Sequence, residues 1–480
     1  MGISARRELE KTLAAVEERL AKEPNVIDLQ FQRACLLASL GQIALAQKRY
    51  LEILHQEPTH FGTLNNFGTL LYDAGYYDAA RTVYANAVSH HPEKPLTHVN
   101  LANLLLIKGE LIEAKTHYEM ALRLNPDNAA AHQGLSALYQ EVGDEERMHY
   151  HRELGFRNQP MKTMPYRGHE EPIPILLIVS SAGGDLPWRR LVDDRIFEIT
   201  TLVAAFCPMP ISLERYKLIF NIIGDADVSE ADLEAAETLL EGATVPIINA
   251  PASVLATGRM ANAQRLEALP NVVVPRVVTL PREKLEGSDA ANLLAGFSLS
   301  FPLLLRRPGF HTGKHFVRVD HAEEISSSLA TLPGKELLAI EYLNAFGPDG
   351  YARKYRVMMI NGELYPLHLA ISEQWKVHYF SAAMKDQPAH QAEEAEFLND
   401  MPHVLGQKGM TVLRSIQTIL GLDYAGIDFG IDAKGNILLF EANADMIIID
   451  PSAEPQWDYR RAAINRALEA ARRMLVKKAG

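Results

Sequence analysis

Apolar positions in the first third of the chain recur at helical spacing, and each run is broken by Gly and then by Pro. The stretch "LNNFGTLLYDAGYYDAARTVYANAVSHHP" is one such unit. Pro24, Pro58, Pro92 and Pro126 stand 34 residues apart, as do Gly41, Gly75, Gly109 and Gly143. Leu36, Leu70, Leu104 and Leu138 keep the same step, with Ala46, Ala80 and Ala114, with Tyr50, Tyr84 and Tyr118, and with Leu54, Val88 and Leu122. Gly permits a tight reversal between two helices, Ala lets them approach, and Pro opens a new unit because it cannot continue the last. The pattern predicts helical hairpins over residues 25–155, preceded by an extra helix over 4–22. The last pair, 130–154, has Met148 and Arg152 at the Ala and Tyr registers, as a capping repeat of a solenoid would.

Beyond residue 155 the helical period ends. "FRNQPMKTMPYRGHEEPIP" holds four prolines among few apolar anchors, so residues 156–172 read as a linker. "IPILLIVSSAGGD", "YKLIFNIIGDAD", "VPIINAP" and "NVVVPRVVTL" are buried-type strands that alternate with helical stretches such as 229–240. That alternation predicts a parallel, doubly wound α/β region. No G-x-G-x-x-G follows the first strand. Ser181 to Gly184 read as a plain turn, with an anion or polar group at the strand end as the alternative. After about residue 295 hairpins take over. In "FPLLLRRPGFHTGKHFVRV", Gly309 and Gly313 allow close approach of backbone to a ligand and Arg306, Arg307 and Lys314 supply positive charge, which suits a phosphate.

One hairpin carries unexpected polarity. "GIDFGIDAKGNILLFEANAD" is apolar throughout, yet it holds Asp428, Glu441 and Asn443. A two-residue turn at Lys434 and Gly435 would set Asp428 directly opposite Glu441, with Asn443 on the same face two residues on. Opposed carboxylates repel unless a proton or cation intervenes, and three hard oxygen donors favour Mg²⁺ or Mn²⁺ over zinc.

Composition narrows the classes. Hydrophobic residues are 47% and charged residues 22%, and 480 residues suffice for two to four domains. There are 15 Lys and Arg against 20 Asp and Glu up to residue 155, and 33 against 40 beyond it, so no basic region marks a nucleic-acid binder. Two cysteines, Cys35 and Cys207, argue against a disulfide framework and for a reducing compartment, with Cys207 as a small buried residue. "MGISARRELEKTLAAVEERL" has neither signal-peptide nor transmembrane character, so the expected location is cytoplasmic and away from membranes.

The period and its small, aromatic and Pro positions resemble tetratricopeptide repeats, which implies a concave groove for a peptide or protein. Asn65, Asn66, Asn100 and Asn103 are the backbone-binding candidates, with helix packing as their alternative role. The repeats read otherwise as a homodimerisation element or a prop for the neighbouring domain. Residues 173–475 resemble the ATP-grasp superfamily of carboxylate-amine ligases. The implied fold is multidomain: an all-α solenoid over 1–155, the linker, an α/β pre-ATP-grasp domain over 173–255 and an α+β ATP-grasp domain over 256–480. "AGIDFGIDAKGNILLFEANAD" is similar to the family's metal motif, which implies Asp428, Glu441 and Asn443 as ligands of two Mg²⁺ ions. "PIINAPASVLATGRMANAQRLEAL" and "FPLLLRRP" are similar to segments that contact ATP phosphate, here through Arg259 and Arg306 where the family has lysines. "LLAIEYLNAF" resembles the strand that flanks adenine, with Glu341, Tyr342 and Leu343. "KYRVMMINGELYP" and "SEQWKVHYF" imply Arg356 and Lys376 as catalytic cations. Lys354 stands where an acidic ribose contact is common in one branch, which leaves Asp349 for that role.

The resemblance implies that a substrate carboxylate, of a peptide or protein, attacks the γ-phosphate of ATP to give an acyl phosphate and ADP, and that a nucleophile then displaces phosphate. A repeat scaffold with a non-catalytic ATP-sensing domain, or an ATP-grasp kinase, is the alternative. The segment 372–402, with His378, His390 and an acidic run before His403, reads as a substrate lid or as a solvated amphipathic insert. His311 and His315 read as local packing or surface residues.

Overall fold

The computed structural model describes residues 3–207, 211–308, 315–377, 384–452 and 454–480, with side chains from residue 7 onward. The chain divides into two compact units, Met1–Ile175 with Asp193–Pro208, and Leu176–Val192 with Met209–Gly480.

The first unit begins with α1 (Ile3–Lys22), followed by α2 (Ile27–Ser39), α3 (Ile43–Gln56), α4 (Phe61–Asp73), α5 (Tyr77–His90), α6 (Pro95–Ile107), α7 (Leu111–Leu124), α8 (Ala129–Val142) and α9 (Glu145–Phe156). Helices pair within each 34-residue unit, and the turns are made by Gly41, Gly75, Gly109 and Gly143 at φ 77°, 81°, 77° and 79°. A side chain at that backbone conformation is strained, which is why the period keeps glycine there. Ala46, Ala80 and Ala114 are fully buried, and Tyr50, Tyr84 and Tyr118 fill the space between helices. Each tyrosine donates its hydroxyl to the partner helix fifteen residues earlier: to Cys35 Sγ at 3.7 Å, Thr69 Oγ1 at 3.1 Å and Asn103 Oδ1 at 2.7 Å.

Residues 156–172 are not the free linker expected. β1 (Met161–Thr163) lies within them and pairs antiparallel with β3 (Phe197–Val203), and β2 (Ile173–Val179) follows. Buried Tyr166 anchors this stretch by donating to the carbonyls of Glu170 at 2.8 Å and Arg195 at 3.0 Å. The proline count concealed that anchor.

The second unit continues with β4 (Leu218–Asn221), α10 (Glu230–Leu240), β5 (Ile247–Ile248), α11 (Pro251–Leu255) and α12 (Arg259–Leu266). β4 and β5 run parallel. Then come β6 (Val272–Val273), β7 (Val277–Pro281), α13 (Arg282–Leu285), α14 (Ala290–Gly296), β8 (Leu303–Arg306), β9 (Phe316–Val319), α15 (Ile325–Ala330) and β10 (Glu336–Glu341). One four-stranded sheet has the order β7-β10-β8-β9. The remainder is β11 (Ala352–Ile360), β12 (Glu363–Ser372), α16 (Pro388–Asn399), α17 (Met401–Leu420), β13 (Tyr424–Ile431), β14 (Ile437–Asn443) and α18 (Asp458–Lys478). A five-stranded sheet of order β12-β11-β13-β14-β6 holds the hairpin with the three oxygen-bearing residues.

The segment read as a substrate lid or a solvated amphipathic insert is a packed helix where it is described. α16 buries His390, Glu394, Phe397 and Leu398. Glu394 accepts from Arg460 at 2.6 Å and bonds the hydroxyl of Tyr459 at 2.5 Å, so α16 is tied to α18. His403 is exposed and stands 3.7 Å from Glu396. Gly309, His311, Gly313, Lys314 and His378 lie outside the described residues.

Candidate functional site

The site is built on β13 and β14. Asp428 does face Glu441, and Gly426 faces Asn443, but not through a two-residue turn. Asp432 Oδ1 accepts the backbone N–H groups of Lys434 and Asn436, both at 2.8 Å, which widens the turn. The register then shifts between Asp428 and Phe429 and restores the opposition.

The neighbouring strand supplies cations to the same face. Arg356 on β11 stands opposite Asp428, and Lys354, two residues earlier, shares its side of the sheet. Arg356 donates to Asp428 through Nε at 2.6 Å and Nη2 at 2.8 Å, and Lys354 Nζ donates at 2.9 Å. Burial alone would push the Asp428 carboxyl up, but the Arg356 and Lys354 charges hold it well below the usual carboxylate range. Glu441 is bound by Arg259 Nη2 at 2.8 Å. The carboxylate repulsion anticipated for this hairpin is thus relieved by protein cations, and a metal ion is not needed to relieve it.

A cleft of about 500 Å³ opens over this face. Nine of the residues singled out from sequence line it: Arg259, Arg306, Glu341, Tyr342, Leu343, Arg356, Lys376, Asp428 and Glu441. Asn443 lines an adjoining cavity with Arg259, Glu441, Asp227 and Asn262. Asn443 Oδ1 is buried with no hydrogen-bond partner among the described residues, and so is Asn262 Oδ1. A buried orphan acceptor beside carboxylates is what a hard cation would satisfy, so the donor set fits Mg²⁺ through Asn443 and Glu441. At Asp428 such an ion would share oxygens that Arg356 and Lys354 already hold.

Cations and aromatic rings meet in the cleft: Arg306 and Lys376 lie 5.5 and 5.8 Å over the ring of Phe316. Burial lowers the Arg306 guanidinium to about 10, with the Arg259 charge adding to the effect. Lys376 is lowered by burial and then by Arg306, and its Nζ donates to the carbonyl of Phe316 at 3.3 Å. The Phe316 ring meets Trp375 edge-on at 5.4 Å, and Arg318 lies 4.5 Å over the ring of Tyr342. β10 ends at Glu341, so Tyr342 and Leu343 run on along the cleft beyond the strand. The Glu341 carboxylate is held by Arg276 at 2.9 Å.

Other expectations are corrected. Asp349 is absent from the cleft lining among the described residues and is bound by Arg353 Nη2 at 2.7 Å, which takes it from any ribose role. Asn65 is buried and accepts from Asn100 at 3.1 Å, so these two asparagines pack helices. Asn66 and Asn103 are exposed, with side-chain contacts to Cys35 and Tyr118. Cys207 is only partly buried. Residues 180–184 are more than a turn: Ser180 Oγ donates to Asp232 at 2.7 Å and pairs with Ser229 Oγ at 2.9 Å. Sequence reasoning missed Trp375, Phe316 and Asp185 as cleft residues. It named Lys354 only as the residue at a ribose-contact position, although its place two residues before Arg356 on a strand was a signal for the cleft.

Residues 71–138 match the family model of the tetratricopeptide repeat. The helical unit carries tetratricopeptide repeats. The repeat array is a scaffold of the protein-interaction type, and a mixed-sheet region follows it. No curated protein matches the chain at a significant level. Among solved structures, MamA from Desulfovibrio magneticus RS-1 is 21% identical, covering 32% of this chain and 87% of that one at a TM-score of 0.28. PilF of Pseudomonas aeruginosa is 22% identical over 32% of this chain and 69% of its own, with a TM-score of 0.30. A thermophilic repeat protein of Thermus thermophilus is 19% identical over 33% and 86%, with a TM-score of 0.28. Among the described residues no helix is long and apolar enough to cross a membrane.

Proposed function

We propose that the second unit is an ATP-grasp domain that uses ATP to activate a carboxylate of a peptide or protein, and that the repeats recruit that macromolecule. The observation that carries this reading is convergence: residues from Arg259 to Glu441, chosen one motif at a time, line one cleft. Arg259, Arg306, Arg356 and Lys376 would hold the phosphates, and Tyr342 and Leu343 would flank the base. Asp428, Glu441 and Asn443 would hold Mg²⁺, which when bound neutralises phosphate charge and orients the transferring group.

The chain's own residues suit the first step. A carboxylate oxygen attacks the γ-phosphorus, the bond to the ADP oxygen breaks, and ADP leaves with that electron pair. Guanidinium groups fixed by buried carboxylates stabilise charge on the transferring phosphoryl without reorganising. Arg356 is held so by Asp428, whose carboxylate is buried.

The test is ADP and phosphate release from Mg·ATP with peptide carboxylates as acceptors. Wild type is expected to release both, and Asp428→Ala and Glu441→Ala to lose at least about 100-fold. Absence of ATP binding in wild type would sink the reading, and AMP with pyrophosphate would contradict the mechanism. A second reading has one observation in its favour. Asp428 is saturated by Arg356 and Lys354, as in a domain that binds ATP without turnover. Tight ATP binding with no ADP release on any acceptor would favour it.

A further inference from the structure

Four of the five carboxyls that line the cleft, Glu341, Asp428, Glu441 and Asp445, feel a nearby guanidinium. Glu341 is bound by Arg276, Asp428 by Arg356 and Glu441 by Arg259, while the Asp445 charge acts on Arg259 and Arg356. Asp185 differs. Its Oδ1 accepts the backbone N–H of Ser180 at 2.9 Å, and among the described residues no cation lies within ion-pairing distance. Burial, with Asp232 adding to it and the Ser180 N–H opposing it, pushes the carboxyl up to about 8.

The backbone holds this group firmly at the cleft wall. Asp185 bridges Ile223 in antiparallel fashion, Leu186 N donates to Ile222 O at 2.8 Å, and Gly224 N donates to Gly184 O at 2.9 Å. Gly224 in turn lies so close to Asp445 that a Cβ on it would stand 2.6 Å from that residue's Cα. The lining of the same cleft also includes apolar Pro187, Met446, Ile447 and Ile449. Arg190 pins the same segment by donating to Ile448 O at 2.9 Å and pairing with Asp450 at 2.6 Å.

A partly buried carboxyl that faces a ligand cleft without a cation is costly when charged, unless the ligand brings the cation. We propose that Asp185 receives the nucleophile of the ligation, a primary amine on an apolar carbon skeleton, by pairing with its ammonium group and taking its proton. The inference rests on the ligase reading above. The carboxylate and R–NH₃⁺ become a carboxylic acid and R–NH₂. The nitrogen lone pair attacks the acyl-phosphate carbonyl carbon, a C–N bond forms and the C–O bond to phosphate breaks. Phosphate leaves with that electron pair, and the second nitrogen proton passes to it, giving an amide. No redox change is involved. A carboxyl that titrates near neutrality is matched to this transfer, whereas Asp428, held strongly acidic, is not.

The experiment uses the full chain, Mg·ATP and a pool of N-acetylated tripeptides, so that the only nucleophile is the one added. Leucinamide supplies an ammonium on an apolar skeleton. Hydroxylamine, mostly uncharged near neutrality, traps the acyl phosphate without needing a receiver. For Asp185→Asn, which can still accept the Ser180 N–H, adduct formation with leucinamide is expected to fall at least about 100-fold. Hydroxamate formation, ATP affinity and melting temperature should stay within about threefold or a few degrees of wild type. The proposal is overturned if the variant forms the leucinamide adduct as fast as wild type, or loses hydroxamate along with it. It is also overturned if wild type makes hydroxamate but no leucinamide adduct. Failure of wild type to release ADP with any acceptor would instead sink the ligase reading, and this inference with it.

Discussion

The two units bury different kinds of polarity. In the repeat unit the buried polar side chains among the described residues include no carboxylate, ammonium or guanidinium group: they are Gln30, Thr63, Asn65, Thr97, His98, His132, Ser136 and Thr200. In the mixed-sheet unit they include Asp225, Asp232, Arg306, Glu394, Asp428 and Arg460. Burying a charge costs several kcal/mol, on the order of 5 or more, unless it is paired, so a unit that does it repeatedly is under a demand other than stability. The repeats meet no such demand: their polar contacts orient one helix against the next. The difference teaches where chemistry is to be sought, and it can be broken or sharpened by substitution.

The largest effect is expected at Asp428. Asp428→Ala leaves the partly buried Arg356 and Lys354 without their shared carboxylate, which should cost about 3 kcal/mol and abolish ADP release. Denaturant melts read beside turnover check both. Glu394→Gln sharpens the comparison, because Glu394 and Arg460 are as deeply buried but lie outside the cleft lining among the described residues. Its stability cost should be about as large, about 3 kcal/mol, while kcat and KM for ATP remain within about twofold. If Glu394→Gln removed turnover at wild-type stability, buried charge in this unit would not separate into structural and chemical sets.

Legibility followed the same divide. In the repeats one period carried Gly, Ala, Tyr and Pro together, and the helices lie where that period puts them. What it could not show was Asn65 turned inward, since packing against Asn100 depends on the neighbouring repeat. In the sheet unit the opposition of Asp428 and Glu441 was legible although the turn was not, because Asp432 captures backbone N–H groups that a two-residue turn would leave elsewhere. The partners that decide electrostatics were hidden by distance along the chain. Lys354 reaches Asp428 across 74 positions, and Glu394 reaches Arg460 across 66. For the same reason a packed helix read as a lid or a solvated insert, and Asp185, held at the cleft wall by its bridge to Ile223 and the backbone bonds beside it, was not singled out.

A smaller effect tests the repeat side. A Cβ at Gly134 would collide with the ring of Tyr118, which is fully buried and cannot swing away. Gly134→Ala should therefore destabilise the helical unit by about 2 kcal/mol. ATP binding should be unchanged, and capture of a peptide carboxylate by the full chain should weaken, as a pull-down with immobilised acceptor peptide would read.

The smallest effect is a pH dependence confined to the repeats. His98 and His117 share an Nδ1···Nδ1 contact of 3.0 Å, and His132 and His151, one period on, share one of 2.8 Å. In each pair the first ring's Nε2 meets a carbonyl, Pro92 O or Pro126 O, at 2.9 Å, so that nitrogen carries the proton and Nδ1 accepts. Burial, then the neighbouring imidazole, lowers His117, and the same two causes lower His151 to about 4. The folded rings thus refuse a proton that the unfolded chain takes at the ordinary imidazole value of about 6.5. Stability is full above that value and is lost as pH falls from there toward about 4, because the unfolded state then binds more protons. The melting temperature of the helical unit should drop by about 5 °C between about pH 7 and about pH 5. Leu64 and Val83 occupy the same two registers one repeat earlier. His98→Leu with His117→Val should therefore shrink the drop, and an unchanged drop in that variant would show that the His98–His117 pair does not contribute to it.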